Sequence, residues 1–223
     1  WLTSYIEQKM GGRVELLPKL IPSYAPLGRR LVVDNGYYDA LLRDNVELVT
    51  EEIERFTPEG IVTSDGVERP FDIIVSATGY QVMEYLWPAQ YTGRDRQTLS
   101  EAWRAEGPRA YLGFSVPGFP NLFIMYGPNG QPRAGNFHSW AEIWARYVVQ
   151  GIVHLIESRS HSIEVRADVY HSYNRRLDEG LTNIIWTTEA ANGYYAVQQG
   201  RGAVSMPWEH YDYHDMVRKL NID

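Results

Sequence analysis

The chain has 223 residues, with Lys+Arg 21 against Asp+Glu 28 and a formal net charge of −7. Hydrophobic residues make up 44% and charged residues 22%, which excludes wholesale disorder and collagen-like or coiled-coil architectures. The acidic balance argues against a protein that tracks nucleic-acid phosphates, and the absence of cysteine removes disulfides, thiolate metal sites and cysteine nucleophiles together. No apolar run approaches the ~20 residues of a membrane span, and no signal-peptide pattern opens the chain, so a soluble cytoplasmic protein of one large or two small domains is the expectation.

In chain order, residues 1–10 read as the end of a helix closed by Gly11-Gly12. Pro18, Pro22 and Pro26 punctuate a loop that runs to Gly28-Arg29-Arg30, ahead of a short apolar run, Leu31-Val32-Val33. Asp34-Asn35-Gly36 signals a turn or helix start, with a short helix over 37–42. Residues 46–49 alternate as a strand, while 53–56 and 60–63 read as a hairpin followed by the turn Ser64-Asp65-Gly66. Residues 71–76 are a nearly continuous apolar run, the pattern of a strand buried on both faces in a parallel sheet. A helix over 99–105 follows, then strands over 111–115 and 122–125 around a Pro-Gly-Phe-Pro turn at 117–120. From 139 to 156 the apolar spacing is helical, through Trp140, Ile143, Trp144, Tyr147, Val148, Ile152 and Leu155. Further helices are expected over 167–179 and 211–220.

Three segments carry chemistry. The apolar run 71–76 leads to Thr78 and Gly79, and a glycine at a strand end lets backbone approach a ligand or another segment closely. Ligands gather at the carboxyl ends of strands in open α/β sheets, though an ordinary strand–turn has the same pattern. The second segment runs from Gly118 to the Gly127-Pro128-Asn129-Gly130 loop and on to a helix N-terminus. Free N–H groups and the positive end of the helix dipole favour a group that becomes negative; a plain helix cap over a turn is the structural alternative. The third is Arg29-Arg30 on a proline-stiffened loop, able to clamp phosphate or stabilise an anion, or to sit solvated. His210 and His214 lack a third metal ligand at sensible spacing. No Gly-x-Ser-x-Gly elbow exists, so His138-Ser139 does not signal a hydrolase. The pairs Glu51-Glu52 and Asp178-Glu179 read as solvated faces.

In this order the segments resemble the C-terminal part of a flavin-dependent monooxygenase of the Baeyer–Villiger type. Asp72 to Tyr80 is similar to the family's acidic-apolar-Ala-Thr-Gly motif. Arg109-Ala-Tyr-Leu-Gly113 and 118–129 are similar to the strand and loop beneath the flavin, and 131–140 most resembles the 4-hydroxyacetophenone monooxygenase branch. The resemblance runs from about Pro22 to Pro207. It implies an α/β fold, the C-terminal portion of a flavoprotein with two Rossmann-like dinucleotide-binding domains and a helical C-terminal extension. Residues 1–80 would be the remainder of the NADPH-binding domain, 81–157 the C-terminal part of the FAD-binding domain, and 158–223 a helical and irregular segment over the active site.

The resemblance implies FAD and NADPH as cofactors, and insertion of one oxygen atom of O2 next to a ketone carbonyl through a C4a-peroxyflavin, giving an ester. Arg30 would be the catalytic guanidinium over the flavin and Arg29 the contact to the NADPH 2′-phosphate. Thr78, Gly79, Gly127, Pro128 and Asn129 would belong to the cofactor-binding loops, with the backbone of Asn136 and Phe137 at the flavin pyrimidine edge. Pro132 and Arg133 would line the ketone pocket, and Trp186 would cover nicotinamide and substrate. The partners implied are a small ketone and O2, with no nucleic acid and no membrane.

One departure qualifies this. The family carries two Gly-x-Gly-x-x-Gly turns, and the sequence has neither; Gly200-Arg-Gly202-Ala-Val-Ser205 lacks the third glycine. Two alternatives therefore stand beside the ketone reading. One is an N- or S-oxidising flavin monooxygenase, and the other a non-catalytic fragment or assembly unit requiring a separate N-terminal half.

Overall fold

The computed structural model describes residues 1–24, 26–29, 31–187 and 202–222. The chain divides into two compact units, Trp1–Ala25 with Arg30–Tyr80, and Pro26–Arg29 with Gln81–Asp223.

The first unit begins with α1 (Leu2–Met10), whose buried Ile6 and Met10 pack against Leu16 and, around them, Leu17, Leu20, Leu42 and Leu48. The stretch after Gly12, expected as loop, instead winds into a 3-10 turn (Val14–Leu16) and the one-turn helix α2 (Leu17–Leu20). Pro18 lies in its first turn, where a missing N–H breaks no helical hydrogen bond. The Asp34 carboxylate accepts from the amides of Gly36 and Tyr37 and so starts α3 (Tyr37–Ala40). Lys9 Nζ pairs with Asp39 at 2.8 Å and ties α1 to α3.

The hairpin forms as the sequence implies. β1 (Ile53–Phe56), β2 (Gly60–Thr63) and β3 (Glu68–Pro70) make an antiparallel sheet in that order, with Phe56 opposite Ile61 and Val62 opposite Glu68. β2 is the buried strand, through Val62 and Thr63. Pro70 ends β3, where the ladder needs no further N–H.

Two expected strands are absent. Residues 46–49 join no strand among the described residues; the Leu48 carbonyl accepts from Lys19 Nζ at 3.3 Å instead. The run 71–76 is neither a strand nor buried: Ile73 is 81% and Val75 83% exposed. A strand requires a neighbour to take its N–H and C=O groups, and this sheet stops at β3. Val32 and Val33 are likewise exposed, at 90% and 94%. The hydrophobic pattern records a surface suited to burial; the described residues supply nothing to bury it.

The second unit is helical. It contains α4 (Leu99–Ala102), α5 (Phe137–Ser158), α6 (Ala167–Leu181) and α7 (His210–Val217), with 3-10 turns at Arg94–Arg96 and Ile185–Thr187. α4 is shorter than expected and starts with a capping box: the Thr98 side chain accepts from the Glu101 amide, and the Glu101 carboxylate accepts from the Thr98 amide. α5 starts two residues before the expected boundary because the Asn136 side chain accepts from the His138 amide at 2.8 Å. Its stripe Trp140, Trp144 and Tyr147 is buried, together with Phe114, Tyr173, Leu177, Met206 and Tyr213.

The strands expected over 111–115 and 122–125 are also absent. Tyr111 and Ser115 close a tight turn through one antiparallel bridge, with Tyr111 N donating to Ser115 O at 2.7 Å. Leu112 (φ 54°) and Gly113 (φ 79°) are left-handed, which breaks any extended path. The apolar side chains are still buried, since Leu112 and Phe114 point into the core of the turn's own unit. Asp178 is paired rather than solvated: it accepts from Arg109 Nη1 at 2.8 Å and ties α6 to the 106–109 loop.

Helices with one small sheet place the chain in the α/β class. Among the described residues no helix is long and apolar enough to cross a membrane. The exposed runs at 31–33 and 73–75 generate a prediction. At high concentration the chain should self-associate, and replacing Val33 and Val75 by Lys should return it to monomer. Light scattering checks this, and a clean monomer at high concentration for the unsubstituted chain would contradict it.

Candidate functional site

The Gly/Pro loop singled out in the sequence is assembled by backbone contact. Gly127 N donates to Gly113 O at 3.1 Å, and a Cβ on Gly127 would lie 2.6 Å from that same oxygen. The turn at 111–115 and the loop at 127–130 therefore touch main chain to main chain, which only glycine permits here. Beneath them, the Trp144 indole N–H donates to Tyr213 Oη at 3.0 Å, and Tyr213 Oη donates to Leu112 O at 2.9 Å. Burial pushes the Tyr213 phenol well up, so it stays a neutral donor.

Asn129 locks the other side. It is 1% exposed, and its Nδ2 donates to Gly202 O at 2.8 Å and Ser205 O at 2.9 Å. Its amide donates to Ala203 O at 2.7 Å, Gln131 N to Val204 O at 3.1 Å, and Met206 N to Gln131 O at 3.0 Å. Gln131 and Ser205 thus form a parallel bridge. Tyr85 Oη adds a donation to Ala203 O at 3.1 Å.

From this anchor the chain emerges at 133–139, which is exposed, and enters α5. The Trp140 indole N–H reaches back to Ala134 O at 2.8 Å. Gly135 (φ 97°) makes room for it, since a Cβ there would sit 2.5 Å from Trp140 Nε1. No acidic residue occupies the first turn of α5. Its positive end is offset by no carboxylate of its own, beside the exposed edge of Phe137 and the ring of Tyr126, 5.2 Å away. Arg133 pairs with Glu209 Oε1 at 2.5 Å and donates to Pro207 O at 3.4 Å, which fastens the loop to the approach to α7.

The structure brings Gly127, Pro128, Asn129, Pro132, Arg133, Asn136 and Phe137 into this one loop. Gly127, Pro128, Asn129 and Pro132 are buried, and Arg133, Asn136 and Phe137 exposed. The Asn129 carboxamide is engaged by protein carbonyls, so the buried members act as a frame for the exposed ones. Trp186 Nε1 donates to Leu27 O at 3.0 Å, joining the 185–187 turn to the Pro26–Arg29 segment; Arg29 itself is exposed. Thr78 and Gly79 are exposed at the end of the other unit. Arg30 lies outside the described residues. Among the described residues no three His, Cys, Asp or Glu side chains form a metal site.

Sequence reasoning missed Glu209 and the part played by Gly202 to Ser205. The latter string reads as a broken dinucleotide turn; its work is to pair with Gln131 and supply carbonyls to Asn129. A polar residue in an otherwise apolar, glycine-rich loop was the available signal, because a buried Asn must find partners.

No family model matches the chain. It is 35% identical over 222 residues to an uncharacterized monooxygenase of Sinorhizobium fredii, covering 99% of this chain and 34% of that protein. It is 32% identical over 181 residues to a Baeyer-Villiger monooxygenase of Pseudomonas aeruginosa, covering 81% of this chain and 34% of that protein. The chain thus spans about a third of the length of the curated relatives it matches. Among solved structures, it superposes on an oxidized steroid monooxygenase bound to NADP with a TM-score of 0.82 at 28% identity. That match covers 97% of this chain and 42% of the other. For the OTEMO complex with FAD and NADP the TM-score is 0.84 at 26% identity, covering 97% and 40%. The fold is therefore that of part of these flavoproteins.

The Asn129 anchor predicts a specific weakness. Asn129→Ala leaves the Gly202 and Ser205 carbonyls without this donor, at a cost of about 1–3 kcal/mol for each buried group. Thermal unfolding should show a clear fall in Tm, and an unchanged Tm would contradict the anchor.

Proposed function

We propose that the chain is part of an FAD- and NADPH-dependent monooxygenase of the Baeyer–Villiger type, whose complete form converts a ketone, O2, NADPH and a proton into an ester, NADP+ and water. The observation that carries this reading is the superposition of nearly the whole chain on NADP- and FAD-bound monooxygenases. The likeness of 131–140 to the 4-hydroxyacetophenone branch is the finer part of the proposal.

The residues fit one edge of a flavin. The exposed start of α5, free of acidic side chains in its first turn, suits a ring edge that gains negative charge on reduction. Phe137 and Tyr126 offer flat apolar surface beside it. The sequence supplies no glycine-rich turn for a dinucleotide pyrophosphate, so the fit is to an edge and not to the whole cofactor.

Bound FAD and NADPH would supply the hydride and the oxygen activation. The chain's own residues would do the rest. Asn136 and Phe137 present backbone amides to the flavin edge. Arg30 would hold a fixed positive charge beside the ketone carbonyl, and Arg29 would meet the NADPH phosphate. Thr78 and Gly79 approach the cofactor through backbone. Pro132 and Arg133 bound the ketone, and Trp186 covers it and excludes water. A guanidinium at Arg30 stays protonated at every working pH, which suits this role.

The exposed apolar runs at 31–33 and 73–75 favour a second reading, in which the chain acts only together with a further polypeptide that covers them. Flavin retention tests the incompleteness that both readings share. The purified chain is expected to be colourless and to turn yellow only when a separate polypeptide carrying the glycine-rich turns is added. A yellow chain with stoichiometric flavin would favour a self-sufficient protein. In the longer protein, Arg30→Ala should lower ester formation by ~10²–10³ while NADPH-driven flavin reduction persists. Ester formation at near-normal rate would contradict the role of Arg30.

A further inference from the structure

Away from the loop at 127–137, a cavity of about 260 Å³ opens between the middle of α5, the 163–166 connection and the C-terminal segment. Phe123, Tyr147, Ile163, Val165 and Leu220 give it apolar walls, with Tyr111 beside Tyr147. The wall at Leu220 is fixed. Its amide donates to Gln150 Oε1 at 3.1 Å, and Gln150 Nε2 donates to Arg218 O at 3.2 Å.

The polar inventory of the cavity is uneven. Glu164 accepts from the Gly118 amide at 2.6 Å and from Arg94 Nε at 2.9 Å. Arg166 forms a two-point pair with Asp168, at 3.1 and 2.8 Å. The charges at the rim are therefore compensated by neighbours. The two tyrosine hydroxyls differ: neither Tyr111 nor Tyr147 makes a side-chain hydrogen bond among the described residues, and Tyr147 is the more buried, 6% exposed with its ring stacked on Phe114 at 5.1 Å. Burial pushes its phenol up, so it keeps its proton and remains a donor. A donor on the cavity wall with no protein acceptor can give its hydrogen bond to a ligand oxygen in place of water.

We infer that this cavity is a binding site for a small, neutral, mainly apolar molecule bearing one acceptor oxygen, such as a ketone or an ester, which Tyr147 holds by its hydroxyl. Compensated rim charges disfavour an ionic ligand. The volume lies below the ~300–1,000 Å³ of sites for drug-sized molecules, so the ligand is compact. The site shares no residue with the 127–137 loop, needs no flavin, and does not rest on the oxygenase reading.

The test uses the 223-residue chain without cofactors and follows fluorine NMR of 4-fluoroacetophenone, with 4-fluoro-α-methylstyrene as the matched probe in which a CH2 replaces the oxygen. Saturable binding of the ketone is expected. Tyr147→Phe keeps the ring and its stack on Phe114, and should weaken ketone binding about 3- to 10-fold while leaving the styrene unaffected. Val165→Trp, which fills the cavity from a connecting segment, should abolish binding of both probes. Absence of saturable ketone binding to the unsubstituted chain, or ketone affinity unchanged by either substitution, overturns the inference.

Discussion

The buried carboxamide of Asn129 is the constraint on which the second unit depends. Two donors of one small side chain satisfy the carbonyls of Gly202 and Ser205, 73 and 76 residues away in sequence. Neither that side chain nor those carbonyls could lie at this depth alone, because an unpaired buried polar group costs more than a made hydrogen bond returns. The arrangement fixes a strand-like bridge between Gln131 and Ser205 and holds the loop from 127 in register. Everything exposed downstream, from Arg133 to the start of α5, takes its position from this frame and from the main-chain contact of Gly127 with Gly113.

The first unit shows what happens where such partners are missing. Its small sheet is complete within itself, and α1 covers a local core with Leu16. The runs at 31–33 and 73–75 have the composition of interior strands yet stand in solvent. The chain spans about a third of its relatives' length, so the surface these runs present is consistent with one the remainder of such a protein could cover.

Legibility in the sequence followed the range of the interactions. The α5 stripe of Trp140, Trp144 and Tyr147 was readable because a helix satisfies its own backbone, leaving the period to report the buried face. The hairpin over β1 and β2 was readable for a similar reason, since its partner lies only a few residues on. Residues 71–76 and 122–125 misled because an apolar run states a demand for burial without stating what meets it. At 111–115 left-handed residues broke the strand while the side chains remained buried. The loop at 127–130 was recognisable as special, and the long helix beyond it was expected, though two residues later than it begins. The partners of Asn129 were not readable, because nothing local in Gly202 to Ser205 marks a segment that pairs with residue 131.

Hydrogen exchange of backbone amides in the unsubstituted chain tests the central claim most directly. If the carboxamide frame holds the second unit together, the amides of Asn129, Gln131 and Met206 open as one unit, with a common protection free energy that falls in parallel as denaturant is added. Exchange of the Gln131 and Met206 amides at unprotected rates, while the amides of α5 remain protected, would show that the two segments are not joined and would contradict the account.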